Sequence, residues 1–493
     1  MNTVVHLPGE SAFVPQDDRL HGFYTCKKYM HHYARLSGLP NDESTNERID
    51  MLLAKLGLTS QADTIVGDIF LKGLSGGQKR RLSIALEALS EPSTFILDEC
   101  TSGLDAESAL QVMEFLKDYA RLAPGRRVIL TIHQPSSFIW TLLDHVILLS
   151  RGQLMFQGPR EDIEVFFSSA GYPTKPGWNP SEHYITAVND EFRDHELSVE
   201  EWHAKYVEWA QLHPISKAPQ PNSIKRRNNS IVKASNLEMR KTQRSGGPTV
   251  VVELTYRYFL NLWFNPGILG TRVAMYSMLA LMVGALFWNL GERDDLLAIQ
   301  SRAAVLFYCV AFFVFMSVAV LPFTVMERGI VDKEVMNKYY HPIMYQISQG
   351  LASIPGTALL AFLTTILVVP MTGLNEGFWY FLNMYLSLLV AEALAQLVSH
   401  VVPHFVIGMA VIAGLYGFFM LFQGFMLVPS DFPDWLRWTN KVAFHTYSWR
   451  TFMVNEFRGQ TFSSVQFPTG EDVLRAYEIE DVDRGNDVSE QLL

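Results

Sequence analysis

Two adjacent carboxylates at the end of a short apolar run are the clearest candidates for chemistry in the sequence. Residues Ser93 to Leu97 are typical of a buried parallel strand, and Asp98 and Glu99 follow them directly. Such a strand delivers both side chains to its carboxyl end. Asp98 is suited to hold Mg²⁺ through water, and Glu99 is suited to orient or deprotonate an attacking water.

A serine and two glycines form a second candidate site. Residues Leu74 to Gln78 read Leu-Ser-Gly-Gly-Gln and precede an apolar, periodic stretch. At the start of a helix, Ser75, Gly76 and Gly77 expose backbone N–H groups to an anion, and the helix dipole adds positive potential. A lone Ser-Gly-Gly is more often a plain turn than an anion clamp, so the neighbouring motifs must decide between the two.

Further polar residues follow other predicted strands. Gln16 comes after Ala12 to Val14, His133 comes after the apolar run Val128 to Ile132, and Thr101 to Asp105 forms the turn after the carboxylates. A side-chain amide at the position of Gln16 can touch a metal ion or a water. A histidine at the position of His133 can donate a hydrogen bond to a terminal phosphate.

The elements that position these residues occupy only the front of the 493-residue chain, a length that allows several domains. Asp, Glu, Lys and Arg number 57 in residues 1–250 but only 23 in residues 251–460. The front is therefore expected to be soluble and the back to lie in a membrane. Three scattered cysteines exclude a disulfide scaffold or a zinc cluster, and the net charge of −10 disfavours nucleic-acid binding. Residues 1–10 show no secretory signal.

Uncharged stretches of about 20 residues predict the membrane helices. Five are expected, at roughly 272–291, 303–326, 346–369, 377–400 and 403–427. Eight Lys and Arg residues between Leu212 and Val250 place that segment in the cytosol. An odd number of crossings then puts the acidic end of the chain on the far side, with Val442 to Val454 as a short amphipathic or re-entrant helix.

Two features of the back half leave alternatives open. The basic segment is either a solvated, disordered connector or a site for anionic headgroups or for phosphorylation near Ser230. Glu392 lies in an apolar helix, where a carboxylate is costly. It either contacts substrate or carries a proton, or it is solvated or paired with a neighbouring helix.

The motifs together resemble the nucleotide-binding domain of ATP-binding-cassette (ABC) transporters. The resemblance identifies Gln16 as the Q-loop, Leu74 to Gln78 as the signature, Asp98 and Glu99 as Walker B, Asp105 as the D-loop and His133 as the H-loop. The strings Thr131 to Pro135 and Asn179-Pro180-Ser181-Glu182 are similar to the White, or ABCG, subfamily, which places its cassette before its membrane domain.

The resemblance implies an α/β P-loop-type nucleotide-binding domain followed by an all-α polytopic membrane domain of the ABC-2 type. We expect the cassette at 1–190, a basic cytosolic linker at 191–250, the transmembrane domain with an extracellular re-entrant segment at 251–460 and an acidic tail at 461–493. The protein would be a multi-pass protein of the plasma membrane or an internal membrane, with its cassette in the cytosol.

The family mechanism implies a role for each motif. Two cassettes, in a homodimer or a heterodimer, sandwich two ATP molecules with Mg²⁺. The resemblance makes Glu99, His133 and Gln16 the catalytic residues, and Asp98 and Gln16 the metal-binding residues. It makes Ser75, Gly76, Gly77, Gln78 and Asp105 the nucleotide-binding residues, of which the serine and glycines serve the partner's ATP. The expected activity is export of a hydrophobic or amphipathic compound, such as a lipid, sterol or xenobiotic, across the lipid membrane, with no nucleic-acid partner.

The sequence departs from the family at both ends. The phosphate loop G-x-x-x-x-G-K-[ST] is missing, and the dipeptide Gly-Lys occurs nowhere in the chain. No sixth apolar helix follows residue 427, and Cys100 stands where the family usually has proline. Three interpretations remain: an ordinary half-transporter, a catalytically deficient subunit that lends its signature to a partner with an intact loop, or an incomplete copy of a normal transporter. Whether this chain alone is an ATPase is left open.

Overall fold

The computed structural model describes residues 11–68, 71–189, 197–213 and 246–479, which fall into two compact units. The first unit comprises residues up to Val66 and from Gly73 to Ser245. The second comprises Gly67–Lys72 and the residues from Gly246 onward. The eight Lys and Arg residues of the basic segment, Ser230 within it, and residues 480–493 of the predicted acidic tail lie outside the described residues.

The first unit contains a sheet of three parallel strands. They are β1 (Ser11–Val14), β2 (Thr94–Leu97) and β3 (Arg127–Leu130), in that spatial order. Their register aligns Val14 with Leu97 and Leu97 with Leu130, so all three strands end at the same edge of the sheet. A separate antiparallel pair joins β4 (His145–Ser150) to β5 (Gln153–Pro159).

Helices surround the strands of the first unit. Their bounds are α1 (Cys26–Leu36), α2 (Glu43–Lys55), α3 (Gly76–Ala88), α4 (Ala106–Arg121), α5 (Ser137–Leu142), α6 (Arg160–Ser169), α7 (Pro180–Val188) and α8 (Val199–Leu212). Helix α3 packs on β1 and α4 packs on β3. The last of these helices falls in the range predicted as linker, but it is folded: Trp202 of α8 is buried against the rings of Phe166 and Phe167. Burial of this large aromatic surface holds α8 on the cassette.

The second unit is helical throughout the described residues. Helix α9 (Gly247–Phe264) precedes a π-helical turn that leads into α10 (Thr271–Leu286). Helices α11 (Leu296–Tyr308) and α12 (Leu321–Met336) are joined by π and 3₁₀ turns into one continuous run. Then come α13 (Pro342–Thr372), α14 (Gly377–Val401), α15 (Phe405–Leu421), α16 (Arg437–Val442), α17 (Phe444–Phe457) and α18 (Gly470–Ala476).

Four helical runs of the described residues are long and apolar enough to cross a membrane. They span Pro266–Glu292, Leu296–Met336, Pro342–Thr372 and Gly377–Val401. The shorter apolar helix α15 occupies the place of the fifth predicted crossing but ends at Leu421, six residues before the predicted end. The early end is explained by Gly424, whose φ of +105° does not belong to a helix.

Three buried ion pairs join helices of the second unit. Arg257 donates to both carboxylate oxygens of Glu334, at 2.7 and 3.0 Å. Arg272 of α10 pairs with Glu392 of α14, so of the alternatives for Glu392 the structure shows pairing with a neighbouring helix. Charged side chains are expensive in a membrane unless they are paired, and each pair therefore fixes the relative placement of two helices.

The third pair joins the ends of several helices. The Nη1 atom of Arg302 donates to Glu456 at 2.8 Å, and its Nη2 atom donates to the carbonyls of Gly291 and Arg293. The other oxygen of Glu456 accepts from the amide of Asn375 at 2.8 Å. Helix α17, which carries Glu456, is buried on nearly all sides, unlike a surface amphipathic helix.

Replacing Arg302 with Met is expected to destabilise the second unit by about 3–5 kcal/mol, because it leaves the Glu456 carboxylate buried without its cation. The matched control is Arg293→Met, which removes an arginine whose side chain is 51% exposed and pairs with Asp295. That change is expected to cost at most about 1 kcal/mol. Thermal unfolding of both variants in detergent checks this difference, and equal melting temperatures would contradict it.

Candidate functional site

Side chains from three strand ends meet in one hydrogen-bonded network. The Nε2 atom of Gln16, beyond β1, donates to Oε2 of Glu99 at 2.8 Å. The hydroxyl of Thr131, directly after β3, donates to Oδ1 of Asp98 at 2.6 Å and accepts from the amide of Glu99 at 2.8 Å. The parallel register thus places an amide, two carboxylates and a hydroxyl side by side.

Thr131 is a member of this network that the sequence analysis did not assign to the site. In the sequence, Thr131 lies inside the apolar run Val128 to Ile132, whereas in the structure β3 ends one residue before it, at Leu130. Its hydroxyl orients Asp98 and also holds the backbone turn at Glu99, whose φ is +45°. A non-glycine residue in that region is strained, and such strain is common where a side chain must be aimed at a ligand.

Arg80 is a second residue that the sequence analysis missed, because it reads as one of three cationic residues after the signature motif. It is only 2% exposed. Its Nη1 atom donates to the carbonyls of Pro15 and Gln16 at 2.5 and 3.1 Å and to Oδ1 of Asp18 at 3.1 Å. Its Nη2 atom donates to the carbonyl of Asp98. One guanidinium therefore ties α3 to the ends of β1 and β2.

The Ser-Gly-Gly segment begins a helix, as expected. Ser75 is the N-cap of α3: its hydroxyl accepts from the amide of Gln78 at 3.3 Å, and the Gln78 side chain accepts from the Ser75 amide at 3.0 Å. This capping box satisfies two amides. Those of Gly76 and Gly77, the first two residues of the helix, have no intrahelical acceptor by geometry and can bind an anion.

The space around the two glycines differs. A Cβ atom added to Gly76 would have no heavy atom within 4 Å, whereas one on Gly77 would lie 3.1 Å from Leu104 of the Thr101–Asp105 turn. That turn is therefore next to the start of α3. Asp105 itself caps α4 by accepting from the Ser108 amide at 2.9 Å, and this hydrogen bond lowers the pKa of Asp105.

His133 lies three residues beyond β3, where its side chain is exposed and makes no hydrogen bond to the described residues. Although His133 is close in sequence to Thr131, it is not part of the hydrogen-bonded network at the strand ends. Cys100, next to Glu99, is fully buried, and burial raises the pKa of its thiol to about 11. The thiol is thus protected from oxidation, which requires the thiolate.

The donor set of the network fits a magnesium ion. Carboxylate and amide oxygens are the ligands Mg²⁺ takes, usually one or two from protein with water in the remaining positions. Asp98 and the Oε1 atom of Gln16 can supply them. Within the described residues no group of three or more His, Cys, Asp and Glu side chains forms a complete metal cage, and an ion shared with water and phosphate needs none.

An apolar groove opens beside the sheet, on the far side of β3 from β2. Its volume is about 470 Å³, and its lining includes residues of β3, β4, α4, α5 and α7. Ile129, Ile147 and Leu149 are 52%, 61% and 63% exposed. Strands of parallel sheets are normally covered on both faces, and an open edge is a template for pairing, so this groove is suited to receive one more strand.

Replacing Arg80 with Met is expected to destabilise the first unit by about 3–5 kcal/mol, because the Asp18 carboxylate and three carbonyls lose a buried cationic donor. The control is Arg19→Met nearby, where the ion pair to Asp17 is exposed and worth at most about 1 kcal/mol. Chemical unfolding followed by tryptophan fluorescence measures both changes. A loss from Arg80→Met no larger than that of the control would refute the assignment of Arg80 as the central tie.

Comparison with known protein families gives three matches along the chain. The family model described as "ABC transporter" matches residues 2–102. Two models described as "ABC-2 type transporter" match residues 249–457 and 133–264. These matches confirm the predicted fold class, an ABC nucleotide-binding domain followed by a helical ABC-2 membrane domain.

Similar proteins share most of the length of the chain. It is 31% identical over 481 residues to ABC transporter G family member 1 of Petunia hybrida, covering 95% of this chain and 74% of the relative. It is 31% identical over 482 residues to ABC transporter G family member 11 of Arabidopsis thaliana, covering 92% and 68%. It is 30% identical over 482 residues to the broad substrate specificity ATP-binding cassette transporter ABCG2 of Sus scrofa, covering 92% and 72%.

These relatives, together with the apolar helical runs of the second unit, show a multi-pass integral membrane protein with a cytosolic ATP-binding domain. The chain belongs to the ABC transporter G family, as a half-transporter with its cassette before its membrane domain.

Proposed function

We propose that the protein takes part in ATP-driven export of a hydrophobic or amphipathic compound as one half of a dimer. The observation that carries the proposal is the network of Gln16, Asp98, Glu99 and Thr131 at three aligned strand ends. It lies in the same unit as a capped helix whose first amides are available to phosphate. Membrane transport itself is a property of the family.

The strand-end residues support the hydrolytic half of the proposal. ATP with Mg²⁺, when bound, supplies a phosphoryl group whose transfer to water releases energy. Asp98, fixed by Thr131, would hold the metal ion, and Gln16 would share that role. Glu99 would orient or deprotonate the attacking water, and its hydrogen bond to Gln16 keeps the carboxylate aimed at the same place. His133 would donate to the terminal phosphate.

The start of α3 supports the binding half of the proposal, in which the nucleotide belongs to the partner subunit. Ser75 and Gln78 are already paired with each other, so they shape the helix end, and the amides of Gly76 and Gly77 would make the phosphate contact. Asp105, in the turn beside them, would stand at the same interface. Dimerisation with a like or unlike half-transporter would bring these groups to the partner's ATP.

The 493 residues contain no phosphate-loop motif, and the groove beside β3 suggests where a strand that carries one would pack. A strand added between β3 and β4 would cover Ile129, Ile147 and Leu149 and would end at the same edge as Asp98 and Thr131 if parallel. A loop after such a strand would reach the network. The alternative function needs no such strand, because the chain would only lend its signature to a partner with an intact loop.

The membrane unit and one of the relatives support the substrate class that we propose. Each crossing helical run contains an apolar stretch long enough to cross a membrane, which suits a substrate that enters from lipid. One relative, from Sus scrofa, is named for broad substrate specificity. We therefore propose lipids, sterols or xenobiotics as the compounds transported.

Two variants separate the leading function from the alternative. In an assembly purified through a tag on this chain after co-expression with a complete G-family half-transporter, Gly76→Asp is expected to lower ATP hydrolysis at least 10-fold. The added carboxylate repels phosphate, yet it fits the open space at Gly76 and is favourable at a helix start. Glu99→Gln lowers hydrolysis and ATP-driven uptake of a fluorescent lipid into vesicles if this chain has its own hydrolytic site.

Glu107→Gln, an exposed carboxylate at the start of α4, is the matched control and is expected to change nothing. If Gly76→Asp abolishes hydrolysis and Glu99→Gln keeps full activity, the result would support the alternative function. In that function the chain contributes only its signature motif to the partner's ATP site. Full activity in both variants would overturn both functions.

A further inference from the structure

A small polar cavity lies among the membrane helices, within the second unit. Its volume is about 70 Å³, and it is bounded by α9, the π-helical turn before α10, α10 itself, the Leu296–Met336 run, α13 and α14. The polar residues that line it are Tyr258, Asn261, Arg272, Thr324, Glu327, Gln349, Ser353, Glu392 and Gln396. So many polar groups in an apolar bundle are costly, which favours a functional role for the cavity.

The charges that line the cavity do not balance. Arg272 and Glu392 pair with each other, so their charges cancel locally. Glu327 accepts a hydrogen bond from Asn261, a neutral donor. Arg257, one turn earlier on α9, is occupied by both oxygens of Glu334. The acidic side chains that line the cavity thus outnumber the basic ones, two to one.

The neighbouring arginine on the same helix does not correct this excess. Arg328 donates to the carbonyls of Ser399, Val402 and Pro403, at 3.2, 2.7 and 3.2 Å. Its guanidinium is thus engaged at the end of α14. Glu327 is half-buried as a residue and lines the cavity.

A second acceptor faces the cavity without a partner. Gln349 is 6% exposed, and its Oε1 atom has no hydrogen-bond partner among the described residues. Burying an amide oxygen without a hydrogen-bond donor is energetically costly. Together, Glu327 and Gln349 offer an anionic and a neutral oxygen to a group that carries positive charge and several N–H donors.

Size and position restrict that group further. Ligand pockets for drug-sized molecules measure about 300–1,000 Å³, so this cavity can hold only a small part of such a molecule. Apolar residues Leu262, Ile268, Val320 and Phe323 also line it, and an attached alkyl chain can lie along them. Since α9 follows the cytosolic cassette, the cavity is at the cytosolic end of the helices.

We propose that this cavity binds the ammonium headgroup of a cationic amphiphile from the cytosolic leaflet, with Glu327 as its counter-ion and Gln349 as a hydrogen-bond acceptor. The proposal extends the proposed function by naming the chemistry of the substrate head. Binding of the headgroup requires no ATP, so it is tested separately from transport.

The test is thermal unfolding of the full chain in phosphatidylcholine nanodiscs at pH 7 without nucleotide, titrated with dodecylamine, dodecanol or dodecanoate. The three probes share one alkyl chain and differ in the headgroup. Dodecylamine is expected to raise the melting temperature saturably, whereas the alcohol and the carboxylate are not. Methylammonium and sodium chloride show whether a small cation alone is sufficient.

Three variants assign the effect to the cavity. Glu327→Gln is expected to weaken dodecylamine binding at least 10-fold, and Gln349→Leu about 3-fold or more. Glu292→Gln, which removes an exposed carboxylate at the other end of the helices, is expected to leave binding unchanged. If Glu327→Gln does not fold, Gln349→Leu provides the test.

Equal stabilisation by dodecanol, stabilisation by sodium equal to that by dodecylamine, or unchanged binding in the folded variants would overturn the proposal. Failure of ATP-driven transport with dodecylamine binding intact would instead count against the proposed function alone.

Discussion

The candidate site depends on one buried guanidinium. Arg80 lies near the start of α3. Its guanidinium donates hydrogen bonds to the carbonyls of Pro15, Gln16 and Asp98 and to the Asp18 carboxylate. Since these groups lie at the ends of two strands, a single side chain sets the position of α3, which we propose binds an anion, relative to Gln16 and Asp98, which we propose bind the metal ion. A buried cation is costly unless its hydrogen bonds are satisfied, and the cost of losing them resists displacement of the helix. The relative positions of the helix and the two strand ends are thus maintained because breaking the hydrogen bonds of Arg80 would be costly.

The same physical rule organises the membrane unit. Arg257–Glu334, Arg272–Glu392 and Arg302–Glu456 each join segments that are distant in sequence. Apolar side chains give little preference for one packing of helices over another in lipid, because lipid is as apolar as the helices. Paired charges supply that preference. Glu327, which is only partly buried, differs from these paired acids because its hydrogen-bond donor is the neutral Asn261, and we propose that its cavity is a binding site for this reason.

Much of this architecture could be predicted from sequence, because it rests on local patterns. The apolar run before Asp98 and Glu99 predicted a strand, and the Ser-Gly-Gly motif predicted a helix start, since both follow from short-range periodicity and capping. Arg80 and Thr131 could not be identified, because their roles come from contacts with residues 64 and 33 positions away. The pairing of Glu392 likewise needed knowledge of which helix lies opposite. Helix α8 was assigned to the linker because the basic segment after it dominated the composition, whereas its buried Trp202 packs it on the cassette.

The central claim is our proposal that this chain presents the metal-binding and signature parts of an ATP site, whereas its 493 residues contain no phosphate-loop motif. The most direct test is the rate of ATP hydrolysis by the purified 493-residue chain alone in lipid nanodiscs with Mg²⁺. The account predicts no hydrolysis above that of the Glu99→Gln variant. Steady turnover by the chain alone that disappears in Glu99→Gln would contradict it, because it would show a complete catalytic site without the loop.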